Sequence, residues 1–362
     1  MSIFKPLPNI DAICIGADAL LRDAITCIDR NQRGIALVRD GNGKLVGTIT
    51  DGDVRRAMLA GRTLTTAVAE LLQEKRNTRY PQPVTARLGT DAADLLKMMH
   101  DLVIRHIPLV DENDCVAGLV TIEDLVPDEQ LPLRAVIMAG GFGTRLMPLT
   151  EDVPKPMLPL GDKPIMELLI EQLRLSGIRR VNVTTHYQRE KIKSHFGNGQ
   201  DFGVDLTYVD EDRPLGTAGA LSLMEASPEP LLVINGDILT EVDFRAMLQF
   251  HREHGAEMTV AVRRYDIEVP YGVVECDDVH ITSLTEKPQF AFFVNAGIYL
   301  LEPTAHDALP AGEASNMTDL IQNLIASGRA VVSFPIREYW IDIGRLGDYQ
   351  QAQEYARSRA KT

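Results

Sequence analysis

The sequence has few of the residues that build a zinc site or a disulfide framework. Its 362 residues include four cysteines, Cys14, Cys27, Cys115 and Cys276, and none of them forms a CxxC pair. No histidine cluster accompanies them. Because zinc sites and disulfide-rich domains depend on closely spaced ligands, neither is expected. We predict buried free thiols in a reducing compartment and therefore a cytoplasmic protein.

Basic residues and long apolar runs are also scarce. The 51 Asp and Glu residues outnumber the 37 Lys and Arg residues, so the formal net charge is −14. An acidic protein has no general electrostatic attraction for nucleic acid or anionic membranes, and neither is an expected partner. No apolar stretch is long enough to cross a bilayer. Prolines interrupt residues 1–10, so no secretory signal is expected there.

An internal repeat occupies the N-terminal third of the chain. Gly47, Thr50 and Asp53 of segment 45–54 reappear 71 residues later in segment 116–125. Each copy predicts a helix, a strand, a hairpin, a second strand and a helix. When the preceding apolar runs are aligned, the two hairpin turns differ by one residue, and turns tolerate such changes. Two copies favour a paired module over a solenoid.

These features resemble a tandem pair of CBS domains, the first at 1–62 and the second at 63–127. That family is a small α/β module that often senses adenine nucleotides. The resemblance implies regulatory nucleotide sites at Thr50 and Asp53, and at Thr121 and Asp124. In each, the hydroxyl would bond a phosphate and the carboxylate the ribose hydroxyls. The alternative, which stays open, is that these side chains only cap the helix that follows.

A second pattern begins after a predicted linker at 128–133. This linker and the two residues before it contain two prolines and two acidic residues, a composition typical of a linker. Over residues 134–362, apolar strand-like runs alternate with amphipathic helices, one of which is predicted to begin at Pro164. The alternation predicts a three-layer, mostly parallel, Rossmann-like α/β sheet. Ligands of such sheets bind at the carboxyl ends of the strands.

A glycine-rich loop directly follows the first of these strands. Gly140, Gly141 and Gly143 allow the backbone to approach a ligand and to point N–H groups at phosphate. The spacing matches neither a Walker A loop nor a Rossmann fingerprint. Arg145 and the proline-flanked Lys155 add two cations to this loop. A tight turn with surface charges is the alternative interpretation.

The string from Ala139 to Pro159 resembles the signature of sugar-1-phosphate nucleotidyltransferases, and the resemblance extends from Arg134 to about Tyr355. It implies that Arg145 stabilises the α-phosphate and the departing pyrophosphate, and that Lys155 holds phosphate oxygens. It also implies that the triphosphate is wrapped by Gly140, Gly141, Gly143 and Thr144.

The base site is implied by Leu215–Ala220, which resembles the family motif that binds the nucleobase. Gly216 and Thr217 are the candidate contacts, and an ordinary glycine-rich helix start is the alternative. His186 and Tyr187 also follow a predicted strand, but no role is assigned to them.

Five further residues complete the implied site. Asp237 ends an apolar strand, where a carboxylate is well placed to bind Mg²⁺, and the family brings the later Asp342 to the same metal. By the same resemblance, Glu286 bonds sugar hydroxyls, Lys287 meets the sugar phosphate and Asn295 contacts the sugar. Helix caps, turns and surface ion pairs are the alternatives.

Three histidines in polar helical segments are predicted to be surface residues and not ligands: His195, His251 and His254.

The implied reaction joins an NTP and a sugar 1-phosphate into an NDP-sugar and pyrophosphate, with Mg²⁺. The fusion to a CBS pair resembles bacterial enzymes that make GDP-sugars for cell-surface polysaccharides, which favours GTP with glucosamine 1-phosphate or mannose 1-phosphate. A UTP- or dTTP-using glucose 1-phosphate transferase is one alternative. Another is a nucleotide-sensing regulatory protein with an inactive transferase domain. A homo-oligomer is expected, and an attached acyltransferase activity is not.

Overall fold

The computed structural model describes residues 10–76, 78, 80–126, 130–310 and 312–359. The chain divides into two units, Met1–Glu129 and Gln130–Thr362. The predicted linker lies across this division, and its first two residues are outside the described ranges. Within those ranges, no helix is long and apolar enough to span a membrane.

The first unit contains two copies of one α/β module. Each copy has a three-stranded sheet with helices beside it. The predicted order helix, strand, hairpin, strand, helix is present in both copies, and in each it is preceded by a short strand, β1 or β4, that the repeat did not predict. The strands are β1 (Cys14–Gly16), β2 (Ile35–Arg39), β3 (Leu45–Thr50), β4 (Ala86–Arg87), β5 (His106–Val110) and β6 (Val116–Thr121). The helices are α1 (Leu21–Asn31), α2 (Asp51–Leu59), α3 (Val68–Lys75), α4 (Ala92–Leu102) and α5 (Ile122–Leu125).

The two hairpins are equally long, so the prediction that their turns differ by one residue was wrong. Val38 lies opposite Gly47 in the first hairpin, and Leu109 lies opposite Gly118 in the second. Both strands of each hairpin therefore keep the same offset between the copies. The first strand of the second hairpin begins with a histidine and not with an apolar residue. An alignment of the apolar runs is therefore shifted by one residue, and this shift made the second turn look longer.

The second unit is built on a seven-stranded sheet ordered β11-β10-β7-β12-β17-β14-β18, in which β17 alone runs antiparallel to its neighbours. Its strands are β7 (Arg134–Met138), β10 (Arg180–Thr185), β11 (Asp205–Asp210), β12 (Leu231–Asn235), β14 (Met258–Glu268), β17 (Gln289–Leu301) and β18 (Val331–Ile336). Three strand pairs lie outside it: β8 (Pro159–Leu160) with β9 (Lys163–Pro164), β13 (Ile238–Thr240) with β19 (Trp340–Asp342), and β15 (Val273–Asp277) with β16 (His280–Thr285).

Helices cover both faces of this sheet, which confirms the three-layer prediction. They are α6 (Ile165–Leu175), α7 (Arg189–Phe196), α8 (Gly216–Gly219), α9 (Phe244–Glu253), α10 (Pro303–His306), α11 (Met317–Ala326) and α12 (Leu346–Arg359). Alternate residues of β7 enter different cores: Ala135 and Ile137 pack with α6 and α9, whereas Val136 packs with α11. Strands buried on both faces are continuously apolar, which is why their positions could be predicted. Helix α6 begins after Pro164, as expected.

Candidate active site

The glycine-rich loop that follows β7 is fixed by a buried threonine. Gly143 has a φ of +65°, and Thr150 donates its hydroxyl to the Gly143 carbonyl over 2.8 Å. A β-carbon at Gly143 would lie 3.0 Å from Thr150, so glycine is required here for conformation and for space. The loop then enters a short 3₁₀ helix, Thr144–Leu146, in which the side chain of Arg145 is exposed.

The two predicted metal ligands lie side by side. Strand β13 begins directly after Asp237 and pairs with β19, which ends at Asp342. The N–H of Ile343 donates to the carbonyl of Asp237 over 3.0 Å, which holds the two backbones together. Residues about a hundred positions apart in the sequence are thereby placed at one edge of the sheet.

Two of the three predicted cations, Arg145 and Lys155, lie beside this pair of carboxylates. Lys155 is only 8% exposed, and its ammonium contacts a carboxylate oxygen of Asp237. Arg145 and Asp342 flank Gly344, where a β-carbon would lie 3.5 Å from an Arg145 guanidinium nitrogen and 3.7 Å from an Asp342 carboxylate oxygen. We call Arg145, Lys155, Asp237 and Asp342 the charged cluster.

The other three members of the charged cluster all affect the pKa of Asp342. Partial desolvation and the neighbouring Asp237 carboxylate raise the pKa of Asp342, while Lys155 and Arg145 oppose that rise. Mg²⁺ is usually held by one or two carboxylates together with substrate phosphates. Asp237 and Asp342 supply such a donor set, so the residues present fit a magnesium ion.

The predicted base loop is attached to the start of α11. Gly216 has a φ of +77°, and a β-carbon there would lie 2.6 Å from the carbonyl oxygen of Ser315. That carbonyl accepts the N–H groups of Ala218 and Gly219, each over 2.9 Å. The hydroxyl of Thr217 accepts the N–H of Met317 over 2.9 Å, so it satisfies a backbone donor in the first turn of α11.

Glu211 connects the base loop to the phosphate loop and was not singled out from the sequence. Its side chain is 6% exposed and accepts the N–H of Leu215 over 3.0 Å. A β-carbon at Gly140 would lie 2.7 Å from its other carboxylate oxygen. Burial raises the pKa of Glu211. His186, to which no role was assigned, bonds the Glu211 carbonyl through Nδ1 over 2.8 Å. The available signal was that Glu211 directly follows β11, at the carboxyl end of a strand.

Asn295 is held near the charged cluster by a close backbone approach. Its side-chain oxygen accepts the N–H of Gly297 over 2.9 Å. Gly297 has a φ of +69°, and a β-carbon there would lie 2.6 Å from the amide nitrogen of Asn235. Trp340 donates its indole N–H to the Ala296 carbonyl over 2.9 Å. Asn235 and Trp340 each lie two residues before a carboxylate of the cluster.

The remaining sugar-site candidates are Glu286 and Lys287. Glu286 and Lys287 occupy the exposed turn between β16 and β17, and Lys287 has a φ of +45°. Among the described residues, neither side chain forms a hydrogen bond or ion pair with a member of the cluster. The structure therefore brings two predicted cations, Arg145 and Lys155, to the predicted metal ligands, but not the third, Lys287, or its neighbour Glu286.

In the first unit, Thr50 and Asp53 form the capping box of α2. Thr50 caps the N–H of Asp53, and the Asp53 carboxylate accepts the Thr50 N–H over 2.9 Å. Asp53 is also paired with Lys75 and Arg56, each over 2.7 Å. Although burial opposes ionisation, these two cations hold the pKa of Asp53 below its ordinary value.

The second copy has the same capping box but a different ion pair. Asp124 accepts the N–H of Thr121 over 2.8 Å, and it pairs with Arg33 of the first copy over 2.8 Å. The contacts expected if these side chains cap the following helix are therefore present in both copies. Nucleotide binding at these positions stays a prediction.

Two sequence expectations outside the site need correction. His251 was predicted to be a surface residue, but it is 1% exposed and bonds Thr259 through Nδ1 over 2.8 Å and Glu302 through Nε2 over 3.0 Å. Its polar neighbours on α9 concealed that it lies on the face that packs against the sheet. All four cysteines are free, as predicted, but only Cys27 is buried: Cys14 and Cys115 are half-buried, and Cys276 on β15 is exposed.

Two family models match the chain. The nucleotidyl transferase model matches residues 134–359, and the CBS domain model matches residues 5–60 and 68–127. The chain therefore belongs to the nucleotidyl transferase family and carries a pair of CBS domains. The fold class and the family predicted from the sequence are confirmed.

Curated relatives align with about three fifths of the chain. A UTP–glucose-1-phosphate uridylyltransferase of Synechocystis sp. is 36% identical over 241 residues, which cover 61% of this chain and 62% of the relative. The mannose-1-phosphate guanylyltransferase catalytic subunit beta of Drosophila pseudoobscura pseudoobscura is 36% identical over 224 residues, 60% of each chain. This chain thus spans about three fifths of the length of these relatives.

A solved structure has the same fold as the second unit. It is a Bacillus anthracis protein assigned as a glucose-1-phosphate thymidylyltransferase, solved with sucrose. The similarity has a TM-score of 0.51 and 26% sequence identity, and it covers 62% of this chain and 95% of that chain.

Proposed function

We propose that this chain is an enzyme that transfers a nucleotidyl group from an NTP to a sugar 1-phosphate and releases pyrophosphate. The observation that carries the proposal is the charged cluster beside the glycine-rich loop at the strand ends. Two fixed cations and two carboxylates there suit two highly anionic substrates and a divalent cation. The names of the aligned relatives support the same reaction class.

The proposed reaction needs no protein nucleophile. An oxygen of the sugar phosphate attacks the α-phosphorus of the NTP, and one P–O bond forms as the bond to pyrophosphate breaks. Arg145 and Lys155 offset the negative charge that the two substrates bring together, and Lys287 is the proposed contact for the sugar phosphate. Asp237 and Asp342 would hold Mg²⁺, which supplies further neutralisation of phosphate oxygens when bound.

For the substrates we propose GTP with glucosamine 1-phosphate or mannose 1-phosphate. The test is pyrophosphate release with magnesium, with GTP, UTP, dTTP, CTP and ATP each paired with a panel of sugar 1-phosphates. Release that requires one NTP and one sugar phosphate supports the transferase and identifies its substrates. Release only with UTP or dTTP and glucose 1-phosphate rejects the GTP assignment. No release from folded protein, with or without added adenine nucleotides, rejects the enzyme and favours the regulatory protein.

We also propose that the CBS pair regulates this reaction by binding a nucleotide more tightly in one state of the enzyme than in another. The test adds ATP, AMP, GTP or GDP to the parent and to a quadruple alanine variant of Thr50, Asp53, Thr121 and Asp124. The variant should lose the response. An unchanged response would reject these residues as the regulatory site. The cytoplasmic location stays a prediction.

A further inference from the structure

Strand β10 lies between the two strands that lead into the proposed nucleotide loops. It pairs in parallel with β7 on one side and with β11 on the other. Strand β7 leads into the glycine-rich phosphate loop, and β11 leads through Glu211 toward the base loop at Gly216. Because the carboxyl ends of parallel strands meet at one edge of a sheet, the residue that follows β10 is placed between the two loops. That residue is His186.

On one side, His186 is bonded to the segment that carries the base loop. Its Nδ1 lies 2.8 Å from the Glu211 carbonyl oxygen. A carbonyl oxygen can only accept, so Nδ1 carries the hydrogen and donates it. The Glu211 carboxylate in turn accepts the N–H of Leu215, the residue before Gly216, over 3.0 Å. Burial raises the pKa of Glu211, and the Leu215 N–H and the nearby His186 oppose this rise.

On its other side, His186 packs against the phosphate loop. A β-carbon at Gly140 would lie 3.5 Å from the β-carbon of His186. The imidazole also meets the ring of Phe142 in a T-shaped arrangement, with the centroids 5.5 Å apart. Tyr187 contacts the same ring at 5.6 Å, and its hydroxyl donates to the Glu151 carbonyl farther along that segment over 3.2 Å. His186 therefore touches the phosphate loop and holds the backbone that leads to the base loop.

We propose that His186 is a positioning residue that sets the separation of the phosphate and base loops and thereby the affinity for the NTP. This role rests on the proposed function, because it assumes that one nucleotide places its phosphates at Gly140 and its base at Gly216. Groups that bind a ligand must be held within about 0.5 Å of the productive geometry. Since the protein itself makes both contacts of His186, the separation is fixed before a nucleotide binds, which lowers the cost of binding.

Loss of the Nδ1 bond should weaken nucleotide binding and leave the sugar site unchanged. His186→Phe keeps a ring beside Phe142 but removes the donor, so the KM for the NTP should rise about tenfold, less than the hundredfold loss that a misplacement of about 1 Å can cause. The KM for the sugar 1-phosphate should stay within about twofold, because the proposed sugar contacts lie on β17 and the turn before it.

Two amide variants distinguish the two ring nitrogens. The side-chain N–H of His186→Asn can take the place of the Nδ1 donor, so this variant should restore the parental KM for the NTP. His186→Gln places its amide nearer the position of Nε2 and should not restore it. His186→Gln also replaces His186→Phe as the loss variant should the phenylalanine chain fail to fold.

Hydrogen exchange of the full chain without ligand tests the role independently of turnover. Peptides covering 139–147 and 211–219 should exchange at least tenfold faster in His186→Phe and at about the parental rate in His186→Asn. The matched control is His254→Phe, which removes the same kind of bond, from Nδ1 to the Phe250 carbonyl over 2.7 Å, and the same kind of ring contact. This control bond lies at the end of α9, so neither loop should change.

Four results would overturn the assignment. They are parental exchange of both loops in His186→Phe, restoration by glutamine but not by asparagine, equal loosening by His254→Phe, and an active His186→Phe enzyme with a parental KM for the NTP. A chain that releases no pyrophosphate but shows the expected exchange pattern keeps His186 as the tie between the loops. In that case only the proposed function and the KM effect would fail.

Discussion

The ammonium of Lys155 contacts the carboxylate of Asp237 within the second unit, although the two residues are 82 positions apart in the sequence. The contact joins the segment that follows the glycine-rich loop to the end of β12. Lys155 is buried, and removal of one partner from a buried pair leaves the other charge uncompensated. The pair therefore contributes to the fold as well as to the proposed chemistry.

The first prediction concerns this pair. Lys155→Ala should lower the free energy of unfolding by about 1–3 kcal/mol, because it leaves Asp237 without its cation. Asp237→Ala should abolish turnover without unfolding the chain. Thermal unfolding and pyrophosphate release measure the two effects. Lys163→Ala is the matched control, since Lys163 pairs with Glu171 at the surface over 2.8 Å; it should change both quantities little. An Asp237→Ala enzyme with parental turnover would remove Asp237 from the site.

The second prediction separates charge from stability at Arg145. Because Arg145 is exposed, Arg145→Ala should leave the unfolding temperature unchanged but reduce kcat about a thousandfold or more. Arg145→Lys should retain more activity than alanine, since it keeps the charge but not the planar fork of donors. Single-turnover rates at saturating substrates measure the effect. A rate for Arg145→Ala near that of the parent contradicts the assignment.

The third prediction compares two glycines. Gly216→Ala forces a side chain into a left-handed conformation 2.6 Å from the Ser315 carbonyl oxygen, so stability should fall by about 2 kcal/mol or more. Gly141→Ala meets nothing within 4 Å and should leave stability unchanged. Its methyl group instead occupies the space where phosphate is proposed to approach, so the KM for the NTP should rise about tenfold. A parental KM for Gly141→Ala would mean that this backbone does not carry the phosphate.

The fourth prediction concerns acid stability of the first unit. Burial lowers the pKa of His106 from 6.5 to about 4, and its ring bonds the backbone of Arg33. The unfolded chain therefore binds a proton that the folded chain does not between pH 6.5 and 4. The contribution of His106 to the stability of this unit should be constant above pH 6.5 and fall as the pH decreases from 6.5 to 4, by at most ~1.4 kcal/mol per pH unit.

His106→Gln should flatten this pH dependence, as measured by hydrogen exchange of peptides from β5 and β6 in the full chain at pH 7 and pH 5. The control His100→Gln replaces an exposed histidine and should keep the parental slope. Equal slopes in the two variants would show that another group controls the acid response.

Features encoded within one short segment could be predicted from the sequence, whereas features that depend on distant contacts could not. Continuous apolar runs located β7 and β12, and the rule that chemistry follows strand ends located Asp237. The pairing of β13 with β19, which brings Asp342 to Asp237, has no local signal. Glu211 lies between two other acidic residues, Asp210 and Asp212, and although it follows a strand, the sequence does not show which of the three is buried. His251 was misjudged because its sequence neighbours are polar while its packing partners, Thr259 and Glu302, lie on other elements.

Strand β14 extends beyond the sheet from Arg264 onward, and the chain returns to the sheet along the neighbouring strand, β17. Arg264 lies opposite Phe293 of β17. Residues 264–293 thus form one continuous segment outside the sheet, and its first and last residues are neighbours. A segment with neighbouring ends can be lengthened, shortened or replaced during evolution without a change in the strand order of the sheet or in the glycine-rich loop. Glu286 and Lys287, two of the proposed sugar contacts, lie in this segment, so substitutions or insertions there can alter the sugar site while β7, β12 and the glycine-rich loop keep their positions.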